Sequence, residues 1–218
     1  LIKMKLLQRL GYFVSVASVP TEIIEHICDA ANLRKPAKQA ILKYDDSGTR
    51  SLQHQRLRSY IGLRLIDKQA EKWLESSAMQ AAQTKQELPD IINVLIEELV
   101  LRKYELPGFT VLSRLAAKCR NTVNEQIYKT VGGVLGQDMI ERLEAILTPQ
   151  AGRSGWDSLK REPKQPNVRE VTDFLEHVDK MMELAAGLPS TQHIAATKRE
   201  QMTLEARALD LAEMRSVK

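Results

Sequence analysis

The chain has 218 residues, 43% of them hydrophobic and 28% charged, which is ample for one large domain or two small ones and excludes disorder as its main state. Thirty-two Lys and Arg against 28 Asp and Glu leave a formal charge of +4 and a pI near 9.0, a balance that favours an anionic partner. Two cysteines, Cys28 and Cys119, are too few for a disulfide scaffold or a cysteine zinc cluster, so a reducing cytoplasm is the expected compartment.

Ala, Leu, Glu, Gln, Lys, Arg and Met dominate, and an all-α fold is predicted. The first residues carry Lys3, Lys5 and Arg9 and do not read as a signal peptide. The chain opens without Met, in mid-pattern, and is expected to be a piece of a longer protein. Residues 11–19 give a brief strand-like alternation but are assigned as a connection. A helix is expected from Val19-Pro20-Thr21-Glu22, burying Ile23, Ile24, Ile27 and Ala31 and stopping at Asn32. Another starts at Pro36 and runs to about Tyr44. After the Asp45-Asp46-Ser47-Gly48 turn, Ser47 or Thr49 is expected to cap a helix that ends at Gly62.

From Asp67 a helix is predicted to about Lys85, with Ala70, Trp73, Leu74, Ala78 and Ala81 on one side. Pro89 opens the next, whose stripe is Ile91, Ile92, Leu95, Ile96 and Leu99, and whose Asn93, Glu97 and Glu98 interrupt the longest apolar run, so no membrane span is expected. The Leu106-Pro107-Gly108 turn leads to a helix capped by Thr110 and running to about Val131. Its Leu112, Leu115, Ala116, Cys119, Val123 and Ile127 share one arc, and Arg114, Lys118, Asn121 and Glu125 lie opposite. A short helix over 137–147 precedes a loop over 148–167 with three prolines, which Trp156 and Leu159 within it are expected to pin onto a core. Helices over 168–186 and 191–217 complete the chain.

The charge is unevenly spread. Residues 1–66 carry +6, residues 67–131 are neutral and residues 132–218 carry −2. In the first third, Arg50, His54, Gln55, Arg56 and Arg58 lie on one short helix after a turn, a composition suited to a recognition helix. The helix over 110–131 has Arg114, Lys118, Arg120 and Lys129 against Glu125 alone, and it too follows a helix and a tight turn. Two helix-turn-helix-like units with basic, polar outer faces suit the DNA major groove, which admits one helix read by Arg, Asn, Gln and His. The alternative is a helical protein-interaction module in which these faces are merely solvated and the helices after 168 mediate self-association. On the first later helix, Leu52, Leu57, Tyr60 and Ile61 are expected inside, His54, Gln55 and Arg58 outside, and Arg56 nearer the buried side.

Other chemistry finds little support. His26, Cys28 and Asp29 do not converge at their spacing, and Asp173 with His177 has no second half to complete a metal site. No phosphate-binding glycine loop, dinucleotide fingerprint or nucleophile elbow is present. Catalytic residues, a metal and a small-molecule substrate are therefore not expected.

Several ordered segments resemble one family. Residues 6–13 (Leu-Leu-Gln-Arg-Leu-Gly-Tyr-Phe), 57–63 (Leu-Arg-Ser-Tyr-Ile-Gly-Leu), 90–99 (Asp-Ile-Ile-Asn-Val-Leu-Ile-Glu-Glu-Leu) and 104–109 (Tyr-Glu-Leu-Pro-Gly-Phe), with Leu112 and Arg114-Leu115-Ala116, are similar to the N-terminal region of Tn-three family replicative transposases. Residues 156–160 and 205–210 continue the similarity. The resemblance implies a non-catalytic part that grips transposon terminal inverted repeats in double-stranded DNA, in the bacterial cytoplasm at the nucleoid. It places the DDE-type carboxylates and their divalent metal, such as magnesium, in an absent downstream domain, and leaves room for a homodimer of the full-length enzyme. The His54-Gln55-Arg56 cluster matches the basic segment of the family pattern. The domains expected are 1–66 (helix-turn-helix-like and lacking an N-terminal helix), 67–147 (a second such domain) and 148–218 (a linker and C-terminal helices).

Overall fold

The computed structural model describes residues 1–148, 155–160, 165 and 167–209, and among them it is all-helical with no strand. The chain divides into two compact units, Leu1–Ala82 with Glu87–Cys119, and Gln83–Gln86 with Arg120–Lys218.

The first unit opens with α1 (Ile2–Leu10), which ends at Gly11 in the left-handed conformation at φ 77°. The connection that follows holds one tight 3-10 turn at Val16–Ser18, as expected of a segment too short to pair as a strand. Helices α2 (Thr21–Ala30), α3 (Lys38–Asp45) and α4 (Thr49–Ile61) come next. Val16, Ile24 and Cys28 form a small core, with Ile2, Val19, Ile41 and Tyr44 packed round it. Cys28 occupies the inner face of α2 where Ile23 was expected, and Ile23 is exposed. Helix α3 starts two residues beyond Pro36. No side chain caps α4: Ser47 Oγ instead donates to Tyr44 O (2.7 Å) at the end of α3, which also accepts from Ser47 N (3.0 Å). At its other end α4 stops on left-handed Gly62, as its sequence predicts.

The same unit holds α5 (Lys68–Thr84), α6 (Leu88–Leu101) and the first half of α7 (Phe109–Gly132). Asp67 caps α5 by accepting from Ala70 N (2.7 Å). Their predicted stripes are buried: Ala70, Leu74 and Ala78; Ile91, Ile92, Leu95 and Leu99; Leu112, Ala116 and Cys119. Trp73 is half-buried against Tyr104, with ring centroids 5.9 Å apart. Arg64 and Tyr104 form an isolated parallel bridge that ties the segment after α4 to the segment before α7.

Leu106 N donates to Gly11 O (2.8 Å), and a Cβ placed on Gly11 would lie 2.8 Å from Leu106 Cδ1. Gly11→Ala therefore combines left-handed strain with a clash and is expected to cost about 1–3 kcal/mol, read as a lower urea midpoint at unchanged slope.

In the second unit, α8 (Gln137–Leu147) has the predicted bounds, and α9 (Gly155–Leu159) places Trp156 half-buried with its Nε1–H donating to Leu209 O (3.4 Å). Most of the proline-rich loop lies outside the described residues. Helix α10 (Val168–Ala185) is capped by Asn167, whose Oδ1 accepts from Glu170 N (2.9 Å). Helix α11 (Ala196–Ala208) begins later than the expected 191, because the Thr191–Ile194 turn first folds Ile194 into the interior. Residues 210–217 of that expected helix lie outside the described residues.

Candidate nucleic-acid interface

The inner side of α4 packs through polar side chains, and it is organised by a buried ion pair. Lys3 on α1 and Asp45 at the end of α3 lie 3.4 Å apart, both buried. Asp45 Oδ2 also accepts from Ser15 Oγ (2.6 Å) and Ala17 N (2.9 Å), so one carboxylate pins the 3-10 turn to α3. Burial works against its charge, but these donors and Lys3 more than offset that and hold its carboxyl below the usual range. Arg50 donates to Asp45 O (2.5 Å) and closes the C-terminal end of α3.

Lys3 Nζ also donates to Val14 O (3.0 Å) and lies 3.3 Å from His54 Nε2. An ammonium has only donors, so His54 Nε2 is the acceptor and its ring proton sits on Nδ1. The imidazole stacks on Phe13, with centroids 3.7 Å apart and planes 3° from parallel. Arg58 lies over the same Phe13 ring (5.2 Å) and reaches Glu105 Oε2 at 2.5 Å. Phe13 thus sits between His54 and Arg58, and Glu105, just ahead of α7, holds the arginine.

This corrects the expected rotation of α4 in part: Leu57 and Ile61 are half-buried as expected, but the inner side is turned toward His54 and Arg58. His54 and Arg58 face the interior of the unit, whereas Leu52 (51% exposed) and Tyr60 (77%) face solvent. Gln55 is exposed as expected, and Arg56, expected nearer the buried side, is exposed too. At 100° per residue, Leu52, Arg56 and Ser59 share about 60° of arc on the outer side, with Gln55 and Tyr60 flanking. The physical reason is specific pairing: stacking, cation–π attraction and an ion pair reward His54 and Arg58 for turning inward by more than Leu52 and Tyr60 lose by staying wet. Of the five α4 candidates, Gln55 and Arg56 remain available to a partner, while Arg50, His54 and Arg58 are committed to the fold.

Burial, reinforced by Lys3, Arg58 and Arg50, depresses the His54 pKa to about 4. In an unfolded chain it would be about 6.5, so between those values the unfolded state binds more protons and stability falls as pH drops from 6.5 to 4. After discounting for partial exposure, a loss of about 2 kcal/mol is expected across that window. His54→Gln should flatten it, as measured by urea unfolding at neutral pH and near pH 4.5.

On α7, Arg114, Lys118 and Asn121 are exposed, opposite the buried Leu112, Ala116, Cys119 and Val123, as the periodicity predicts. Lys118 Nζ donates to Glu75 Oε1 on α5 (2.6 Å) and so part of the positive charge of this face is compensated. Arg120 is half-buried and its guanidinium donates to Asn121 Oδ1 (3.3 Å). Cys119 is buried with its thiol pushed up by burial, the behaviour of a small apolar side chain. An open cleft of about 510 Å³ beside α4 is lined mainly by apolar groups such as Ile2, Val16, Ile41 and Leu57, together with Arg34 and Arg56.

A family model described as a domain of unknown function, DUF4158, matches residues 1–119, more than half of the chain. The chain belongs to that family. Among curated proteins none matches the chain. The DUF4158 match ends at Cys119, where the first compact unit also ends, and so covers α1 to α6 and the first half of α7. All the α4 candidates, Arg114 and Lys118 fall within DUF4158, and Arg120 and Asn121 lie just beyond it. Among the described residues no group of three or more His, Cys, Asp or Glu is arranged to hold a metal ion, and no helix is long and apolar enough to cross a membrane.

Proposed function

We propose that this chain is a sequence-specific DNA-binding part of a transposase of the Tn-three type, gripping terminal inverted repeats for a catalytic domain elsewhere in the protein. The observation that carries the reading is the outer face of α4, where Gln55, Arg56 and Ser59 stand exposed on a helix whose inner side is locked by Phe13, Lys3 and Glu105. A rigidly held helix with a free arginine and amide suits base-edge readout, because side chains fixed to a braced scaffold lose little entropy on docking. The +6 charge of residues 1–66 supports an anionic partner. Arg114 and Asn121 on α7 add a second polar face.

Gel shifts test this reading with an inverted-repeat duplex and a scrambled duplex of equal composition, each at two salt concentrations. Tighter binding to the repeat at both salts is expected. Equal and strongly salt-dependent binding to both would leave only a nonspecific polyanion binder. In this reading the chain itself supplies no catalytic group, and magnesium-dependent nicking by the pure protein that a single carboxylate substitution abolishes would overturn that part.

A second reading, self-association through the C-terminal helices, is favoured by one feature of α10. Val168, Val171, Leu175 and Met182 are exposed and repeat with the heptad spacing of a helix-pairing seam. A monomeric mass by light scattering at high concentration would dismiss it.

A further inference from the structure

Deepening the self-association reading above, on which it rests, we infer that α10 pairs antiparallel with α10 of a second copy of this chain, with Leu175 at the two-fold axis. Val168, Val171, Leu175, Val178, Met182 and Ala185 alternate spacings of three and four along the helix, the order that keeps one face toward a partner helix. Val168, Val171, Leu175 and Met182 are 84%, 48%, 58% and 66% exposed, and at 100° per residue they share about 60° of arc. Among the described residues no other helix exposes such a run. Charge selects the occupant and its direction. Arg169, Asp179 and Glu183 are exposed along one edge of the seam, the basic residue near the start of the helix and the acidic ones toward its end. Antiparallel pairing centred on Leu175 brings Arg169 level with the partner's Met181, between the partner's Asp179 and the partner's Glu183, each about 3 Å away along the axis. The two-fold axis repeats that contact at the other end. A parallel pair in register would instead set Arg169, Asp179 and Glu183 each beside its own like charge. An anionic lipid surface is a poor occupant, because Glu176 joins Asp179 and Glu183 on that edge. The seam falls short of the roughly 20–30 residues a side of a standard interface, so the pair is weak, with a dissociation constant on the order of 100 µM.

The test uses the full chain. Sedimentation equilibrium from about 10 µM to about 1 mM should show the mass rising from 24.7 kDa toward twice that value. Leu175→Glu and Met182→Glu each change an exposed side chain and should raise the dissociation constant at least about tenfold, with circular dichroism checking that both remain folded. Direction is read by disulfide cross-linking under a mild oxidant, in which the buried Cys28 and Cys119 do not compete. A mixture of Val168→Cys and Met182→Cys chains should cross-link one variant to the other, and neither to itself. Absence of the mixed product, or cross-linking of either variant to itself, overturns the antiparallel arrangement and leaves self-association standing. A dimer that neither glutamate variant weakens overturns the pairing through α10. A single-chain mass at every concentration defeats both this inference and the self-association reading, and leaves the DNA-binding proposal untouched.

Discussion

Asp45→Ala is expected to destabilise the first unit by about 3–5 kcal/mol, because it strands the buried Lys3 ammonium without its counter-charge. The loss extends beyond one pair. Asp45 holds the 3-10 turn through Ser15 and Ala17, and Lys3 continues to Val14 and His54, so one carboxylate connects α1, the turn, α3 and α4. Urea unfolding measures the effect. Lys3→Met combined with Asp45→Leu should cost clearly less than the two single changes added together, because removing both charges removes the uncompensated one. Strict additivity would show that the two side chains act independently, and a loss below about 1 kcal/mol for Asp45→Ala would show that the pair is solvated in the manner of a surface salt bridge.

Arg56→Ala and Arg58→Ala are expected to fail in opposite ways, although the residues are two apart on one helix. Arg56 has an exposed side chain on the outer arc, so its loss should leave stability unchanged and cost about 1–3 kcal/mol of binding to the preferred duplex. Arg58 is held by Glu105 and Phe13. Its loss leaves a half-buried carboxylate unpaired and should lower stability by about 1–3 kcal/mol. On α7, Arg114→Ala should resemble Arg56→Ala. Lys118→Ala should weaken all duplexes alike and reduce the salt slope by about one, less any part already compensated by the exposed pair with Glu75. If Arg114, Lys118 and Asn121 replaced together by Ala leave affinity unchanged at low salt, α7 is not a DNA-reading helix. Thermal melts of the same proteins separate the two kinds of failure.

How far the fold could be read in advance follows from the range of the interactions that set each feature. The helices over 88–101 and 109–132 carry apolar residues at regular helical spacing, so their buried stripes were legible down to Cys119 and Val123. Gly62 was legible as a helix end, because a left-handed terminal residue is a local requirement. The rotation of α4 was not. Its apolar residues Leu52, Tyr60, Leu57 and Ile61 span about half its circumference, and hydrophobicity alone pointed the middle of that arc inward, whereas only its Leu57–Ile61 edge is half-buried. The partners that decide it, Phe13, Lys3 and Glu105, stand 41 to 51 residues from His54 or 47 from Arg58 along the chain, and only tertiary packing brings them together. Charge told a similar story: composition showed that the first third of the chain is basic, but not that Arg50 is tied to the Asp45 carbonyl and Arg58 to Glu105 while Arg56 is left outside. By itself, then, the sequence determined the all-helical class, most helix bounds and the stripes of the apolar helices, since these depend on neighbours one turn away. Which polar side chains of α4 meet a partner was decided by the tertiary structure, since a stacked ring, a buried ammonium and a paired carboxylate can outweigh the burial of a leucine and a tyrosine.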